Sequence, residues 1–327
     1  MIGLAIGAII AALVFDFLNG FHDAANSIAT VVGTRVLRPL HAVAMAAVAN
    51  FAGPFLFGVA VATTIGKGII DPNFVTLNII IGALTGAIIW DIITWLLGLP
   101  TSSSHALVGG LIGAGIAGAG SQAIIFGGLQ KVVTGIIVSP IAGLIVAFLL
   151  ATLLITIFAK KAPSKVNSVF GRLQLVSSAY FSLTHGANDG QKTMGIIALI
   201  LLTQGVITKF EVPYYVILMA AVVMSLGTFF GGWRIVKTMA VKITQLKPYQ
   251  GFAAETGGAT IIAILAWLGI PASTTHGISG AIMGVGAVKR VSAVRWGVGK
   301  RIVWAWIITI PASAAVACVA TLIIKAL

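Results

Sequence analysis

The sequence predicts an all-α polytopic membrane protein made of two repeats in inverted topology, and three observations predict this fold class. First, 59% of the 327 residues are hydrophobic and only 8% are charged, whereas a soluble domain carries about 25% charged residues. Second, long apolar segments recur along the chain. Third, two polar motifs each occur twice, in the same order. A soluble core does not need so much apolar sequence, so the expected solvent is a lipid bilayer.

Apolar segments of roughly the 20 residues that a membrane helix requires recur along the whole chain. They are predicted at residues 1–20, 42–62, 75–98, 132–159, 176–205, 212–232, 252–268 and 302–325. Two glycine-rich segments, 101–118 and 272–288, differ from these. Each directly follows a proline, Pro100 or Pro271, which ends the preceding helix. We therefore expect two re-entrant or half-helix segments rather than ordinary spans.

The net charge of +13 arises from 20 Lys and Arg residues against 7 Asp and Glu residues. If every predicted segment crosses the bilayer, most of the basic residues fall in loops on one side. The positive-inside rule assigns that side to the cytoplasm, so both termini are predicted to be external. The stretch 234–250 fits either an interfacial amphipathic helix or a cytoplasmic loop. Nucleic-acid binding would require a basic face on a folded domain, so nucleic acid is not an expected partner.

Two polar motifs are duplicated. The segment GFHDAANSIATVVG near the start returns as GANDGQKTMG, and LGLPTSSSHALVGG returns as LGIPASTTHGISGA. The charge pattern gives the two copies of each motif opposite directions through the membrane. The predicted organisation is a first inverted repeat at 1–159, a basic cytoplasmic linker at 160–175 and a second inverted repeat at 176–327. Inverted repeats place their substrate near the midplane and expose it alternately to each side.

The first motif pair aligns Asp23 with Asp189. A carboxylate at the centre of a membrane helix costs roughly 2.5–3.5 kcal/mol, so an aligned pair indicates function. Each carboxylate has an amide nearby in the sequence, Asn26 for Asp23 and Asn188 for Asp189, and the glycines would permit an unwound backbone. Such oxygen ligands suit sodium, whereas a helix cap is the structural alternative. Lys192, beside Asp189, pairs with a carboxylate or faces an anion, and Asp16 and Asp91 receive no role.

The second motif pair carries clusters of hydroxyl residues where new helices begin. A helix N-terminus presents free N–H groups and the positive end of the helix dipole, so two of them facing each other would enclose an anion. A simple N-cap needs only one hydroxyl. The predicted anion-binding residues are Thr101, Ser102, Ser103, Ser104, Ser273, Thr274 and Thr275.

An enzyme is not expected. Adjacent Ser and His residues on a helix do not face each other, and the sequence has no nucleophile elbow. The five histidines lack the spacing of a zinc site. Glu255 aligns with the apolar Leu84 of the first half, so it breaks the symmetry. It is a candidate for an additional cation site or a gate.

At these residues the chain closely resembles the inorganic phosphate transporter family, which consists of cation–phosphate symporters. GANDGQKTMG and GFHDAANSIAT are similar to its two signatures, and PTSSSH and PASTTH to its half-helix motifs. The resemblance implies an inverted-repeat fold, phosphate uptake coupled to sodium or protons, and a homodimer. It also implies that Glu255 occupies a position that is important for transport in the family. The implied sodium ligands are Asp23, Asn26, Asn188 and Asp189; Gln191 and Thr193 would join the Ser/Thr clusters around phosphate.

The sequence departs from the family pattern at His22, where the family usually has asparagine. This leaves the coupling ion open. The predicted function is a secondary active transporter of the cell (inner) membrane, performing sodium-coupled symport of inorganic phosphate by alternating access. The alternative is a proton-coupled phosphate or sulfate symporter, and an anion channel is the weaker rival. The expected partners are phosphate, sodium ions as co-substrate and the bilayer, without a further cofactor.

Overall fold

The computed structural model describes residues 2–326, which fold into twelve α-helices joined by short turns. Residues 2–157 contain α1 (Ile2–Gly33), α2 (Pro39–Ala52), α3 (Ala60–Gly68), α4 (Leu77–Leu97), α5 (Ser103–Ala119) and α6 (Phe126–Ile157). Residues 163–326 contain α7 (Pro163–Thr203), α8 (Tyr214–Phe230), α9 (Trp233–Lys237), α10 (Pro248–Trp267), α11 (Thr274–Ala287) and α12 (Trp296–Ala326). The same order occurs in both halves: a long helix, a bent pair, a helix, a short helix and a long helix.

Several of these helices can cross a bilayer. By length and apolar composition α1, α4, α6 and α12 each qualify, and two bent helix pairs can each form one further span within residues 2–326. This confirms the predicted all-α polytopic membrane protein. The two short helices α5 and α11, of 17 and 14 residues, rise about 1.5 Å per residue and fall short of a bilayer core about 30 Å thick.

One of the predicted spans is bent within its length. The segment predicted at 42–62 is not a single straight helix, because α2 and α3 meet at 76°. The segment predicted at 212–232 corresponds to α8, and the chain bends by 57° only where α9 follows it. The bends contain Gly58 and Gly231 with φ of 71° and 63°, a conformation that glycine adopts without the steric cost of a Cβ atom. After α9 a π-helical turn, Thr238–Lys242, continues the chain. The stretch 234–250 thus comprises most of α9, this turn and a loop that leads into the first residues of α10.

The helices that carry the Asp motifs are continuous, so the predicted unwound backbone is wrong. α1 runs on to Gly33, beyond the predicted end at residue 20, and α7 begins at Pro163, inside the predicted linker 160–175. The motif glycines permit close packing instead. A Cβ atom at Gly20 would collide with the backbone of Met224 in α8, and one at Gly186 with the backbone of Asn50 in α2.

The last helix of each half packs against the other half. α6 lies against α10 and α11, and α12 lies against α4 and α5. α1 and α7 contact each other at the centre, and each also contacts helices of both halves. The polar motifs of the two halves therefore meet in the interior of the bundle.

Candidate functional site

The four polar motifs meet where α1 and α7 cross near the first residues of α5 and α11. Ligand atoms of Asp23, His185 and Asp189 lie within 4.8 Å of one another. The two carboxylates come from different halves, and Asp23 is 2% exposed and Asp189 0% exposed. The sequence predicts that the two aligned aspartates form one site, and this prediction requires them to lie close together, as they do here.

The first residues of α5 and α11 are capped in the same way. Ser102 Oγ accepts from the N–H of His105 at 3.3 Å, and Ser273 Oγ accepts from the N–H of His276 at 3.1 Å. These two hydroxyls thus act as N-caps, which satisfy one of the free N–H groups at a helix start. The other hydroxyls of the two clusters remain available for different contacts. Thr101, for example, lies 3.5 Å from Nε2 of His22.

The hydroxyls at the start of α11 bridge the two carboxylates. Thr275 Oγ1 donates to Asp23 Oδ2 and Thr274 Oγ1 donates to Asp189 Oδ2, both at 3.4 Å. The amide of Asn26 donates to both threonines, at 3.2 Å to Thr274 and 2.9 Å to Thr275. Among the described residues, Asn26 Oδ1 has no hydrogen-bond partner. A buried amide oxygen without a donor is a free ligand for a cation.

The surroundings of the two aspartates differ. Nδ1 of His22 lies 2.8 Å from Asp23 Oδ1. Lys192 Nζ lies 2.5 Å from Asp189 Oδ1 and also donates to Ser104 Oγ. Both carboxylates thus have a histidine neighbour, since Nε2 of His185 lies 3.6 Å from Asp189 Oδ2, but only the second carboxylate has an ammonium beside it.

Asn188 lies beside this ammonium. Its Nδ2 donates to the carbonyl oxygen of Ala272 at 3.3 Å. Its Oδ1 has no partner within residues 2–326. The second half therefore also contains a buried amide oxygen that is free to bind a cation.

Gln191 and Thr193 make their hydrogen bonds with other elements. Gln191 Oε1 accepts from the N–H groups of Val61 and Ala62 at the start of α3, at 2.8 and 3.2 Å. Thr193 Oγ1 donates to Asp16 Oδ1 at 2.8 Å. In this structure the two side chains therefore hold α3 and α1 against α7, rather than joining the Ser/Thr clusters.

Glu255 lies in a separate buried network. Its carboxylate accepts from Thr30 Oγ1 at 2.5 Å, from Gln174 Nε2 at 3.1 Å and from Ser177 Oγ. These donors belong to α1 and α7, whereas Glu255 belongs to α10. The carboxylate therefore joins three helices, and it is 0% exposed.

The comparisons with known proteins identify the family. A sequence profile of the phosphate transporter family matches residues 19–317. The chain belongs to this family. It is 55% identical to a probable low-affinity inorganic phosphate transporter of Rhizobium meliloti (strain 1021), over 95% of this chain and 93% of that protein. It is 44% identical to a protein of the same name from Bacillus subtilis (strain 168), over 98% and 97%.

A solved structure agrees with this membership. The chain matches the structure of a sodium-dependent phosphate transporter with a TM-score of 0.88 and 28% sequence identity, over 99% of this chain and 100% of that one. This phosphate transporter family member is therefore a multi-pass membrane protein, as predicted.

The central site of this family member is closed in the described structure. Asp23, Asp189, Ser104 and Thr275 are each at most 3% exposed. A substrate bound among these side chains would be shielded from both sides of the membrane.

Three features near the site lie outside the predicted ligand set. His185, which directly precedes the second Asp motif in the sequence, lies 3.6 Å from Asp189. His105 and His276, which end the two hydroxyl clusters at equivalent positions, have ring centroids 4.5 Å apart in an edge-to-face arrangement. Asp91 is 1% exposed, and neither of its carboxylate oxygens has a partner among residues 2–326. The sequence places Asp91 in an apolar segment but does not indicate which groups its carboxylate contacts.

Proposed function

We propose that this chain is a secondary active transporter that performs sodium-coupled symport of inorganic phosphate by alternating access. The observation that carries the proposal is the contact between the hydroxyl clusters and the two carboxylates. Thr274 and Thr275, at the start of α11, lie at 3.4 Å from Asp189 and Asp23. Donors for an anion and acceptors for a cation thus lie side by side in a buried site.

Electrostatics explains why this arrangement favours symport. Two unit charges of the same sign about 4 Å apart repel each other by roughly 4 kcal/mol at an effective dielectric constant near 20. A phosphate at the start of α11 would therefore be repelled by the nearby carboxylates unless cations bind with it. Because each ion favours the binding of the other, the site changes its exposure either with both ions bound or empty.

The proposed ligands follow from the chemistry of the side chains. Sodium is coordinated by oxygen atoms in membrane transporters. The free amide oxygens of Asn26 and Asn188, with the carboxylates of Asp23 and Asp189, supply such oxygens. Phosphate is held by the hydroxyls of the two clusters and by the free N–H groups of the two helix starts. The printed names of the relatives support phosphate, and that of the solved structure supports sodium.

Proton coupling is the second candidate, and one observation favours it. Nδ1 of His22 lies 2.8 Å from Asp23, so a group able to carry a proton near neutral pH contacts the proposed cation ligand. In that mechanism a proton on this pair would replace sodium. The fold and the phosphate site would be the same.

Purified protein in proteoliposomes tests the proposal. Uptake of radiolabelled phosphate is measured under an inward sodium gradient, a matched potassium gradient and an inward proton gradient, with sulfate as competitor. We expect concentrative uptake that requires sodium and that excess sulfate does not inhibit. Uptake driven by protons alone would identify the second candidate. Uptake that only equilibrates across the membrane would refute symport and indicate a channel.

The homodimer implied by the resemblance is a separate expectation. Mass photometry of the purified protein in detergent and in nanodiscs tests it. We expect the mass of two chains.

A further inference from the structure

The two copies of the Asp motif differ at one aligned position. Three residues after the aspartate, the first half has Asn26 and the second half has Lys192. We propose that the ammonium of Lys192 is a built-in cation that fills the cation position of the second half, so that only the first half takes up a mobile sodium ion. This inference rests on the proposed function and specifies its ion stoichiometry.

The contacts of Lys192 match those of a bound cation. A lysine ammonium has three N–H donors and no acceptor, and Nζ of Lys192 has three oxygen neighbours. These are Asp189 Oδ1 at 2.5 Å, Ser104 Oγ and the carbonyl oxygen of Ala272 at 3.5 Å. The three oxygens come from α7, from the start of α5 and from the residue preceding the Ser273 cap of α11. The ammonium thus lies where the polar segments of both halves meet.

Because Lys192 is buried, its ammonium requires a partner of opposite charge. Lys192 is 0% exposed and is among the largest fully buried side chains of the protein. A buried charge is tolerated only when it is paired and hydrogen-bonded. The Lys192–Asp189 pair meets that condition without any added ion. The second-half carboxylate is therefore neutralised within the chain itself.

The first half shows the same position without the charge. Asn26 Nδ2 donates to Thr274 and Thr275, as Lys192 Nζ donates to Ser104, which aligns with Thr275. However, the hydrogen bonds of Asn26 do not include Asp23 within the described residues. The asparagine side chain is two bonds shorter than lysine from Cα to its terminal nitrogen and carries no charge, so Asn26 leaves Asp23 without a built-in ammonium. A neutral His22, whose Nδ1 lies 2.8 Å from Asp23 Oδ1, adds no positive charge there. The free Oδ1 of Asn26 is available as a second ligand for that ion.

The consequence concerns the number of ions moved per phosphate. With lysine in the second half, one of the two aligned carboxylates is already compensated. The proposed transporter then moves about one sodium ion per phosphate. Replacing Lys192 by asparagine makes the two halves alike and exposes Asp189 to a mobile cation.

The test compares wild type, Lys192→Asn and Lys192→Gln in proteoliposomes. Uptake of radiolabelled sodium and of radiolabelled phosphate is measured in the same vesicles, and the ratio of their initial rates gives the stoichiometry. We expect a wild-type ratio of about one and a ratio higher by about one additional sodium in the variants. Lys131→Asn, at an exposed lysine in α6, is the matched control and should leave the ratio unchanged.

The alternatives give different results. If Lys192 binds phosphate, Lys192→Asn raises the KM for phosphate with the sodium ratio unchanged, and this outcome overturns the inference. A wild-type ratio of two or more also overturns it, and that measurement needs no variant, even if size-exclusion chromatography shows that neither variant folds.

One result separates this inference from the proposed function. If wild-type uptake does not respond to sodium at all, sodium coupling as proposed for the wild type is refuted. The sodium uptake of the Lys192 variants then tests whether the ammonium acts as a built-in cation. Acquired sodium uptake in Lys192→Asn supports it, and absence of such uptake in a folded variant overturns it.

Discussion

Replacing Asp189 by asparagine leaves the ammonium of Lys192 buried without its carboxylate. In the structure Lys192 Nζ lies 2.5 Å from Asp189 Oδ1, and both side chains are 0% exposed. Removing one partner of a buried ion pair costs about 3–5 kcal/mol because an uncompensated charge remains. The aligned replacement Asp23→Asn removes a carboxylate that has no fixed ammonium beside it. It should therefore cost less than Asp189→Asn, about 1–3 kcal/mol, because it disturbs the hydrogen bonds of Asp23 with His22 and Thr275 but leaves no unpaired ammonium. Both variants should lose coupled uptake.

The assay is reversible unfolding in mixed micelles, followed by the fluorescence of the seven tryptophans. Wild type, Asp23→Asn, Asp189→Asn and the double variant Asp189→Asn/Lys192→Asn are compared without sodium or phosphate. Because the double variant removes both charges, it should regain most of the stability that Asp189→Asn loses. This difference isolates the pairwise interaction as a double-mutant cycle does.

Two outcomes would refute this reasoning. Equal loss of stability in Asp23→Asn and Asp189→Asn would mean that the ammonium does not distinguish the two halves. A double variant as unstable as Asp189→Asn would mean that the loss does not come from the unpaired charge. Normal coupled uptake by Asp23→Asn would refute the proposed role of Asp23 as a sodium ligand. Normal coupled uptake by Asp189→Asn would show that the pairing of Asp189 with Lys192 is not needed for transport.

Three further predictions concern other parts of the bundle. Glu255→Gln replaces one acceptor oxygen by a donor that faces donating side chains, so it should cost about 1–3 kcal/mol of unfolding free energy; a variant as stable as wild type in micelle unfolding would contradict this. Ser273→Ala removes the N-cap of α11 and should cost about 0.5–2 kcal/mol, whereas an unchanged unfolding midpoint would show that the cap contributes nothing. Gly186→Ala places a Cβ atom against the backbone of Asn50, so we expect little monodisperse protein in size-exclusion chromatography, and wild-type yield would refute the close contact.

Local patterns allowed much of the site to be predicted. Pro100 and Pro271 end helices because proline lacks an N–H and clashes with the preceding turn, and the hydroxyl residues that follow them cap α5 and α11. The extent of α1 and α7 was mispredicted. In α1 the polar motif suggested a helix end at residue 20, but buried partners on other helices satisfy those side chains, so the helix continues to Gly33. In α7 the motif lies within the predicted segment 176–205, and the difference is the earlier start at Pro163, inside the predicted basic linker.

The sequence by itself determined the membrane class, the two half-helices and the alignment of Asp23 with Asp189, because these depend on composition and on short spacings along one helix. It also contained the difference between Asn26 and Lys192. Only the tertiary structure decided what these residues contact. The pairing of Lys192 with Ser104 and the convergence of three helices on Glu255 depend on how helices cross. Crossings are set by packing among residues far apart in sequence, and no local pattern specifies them.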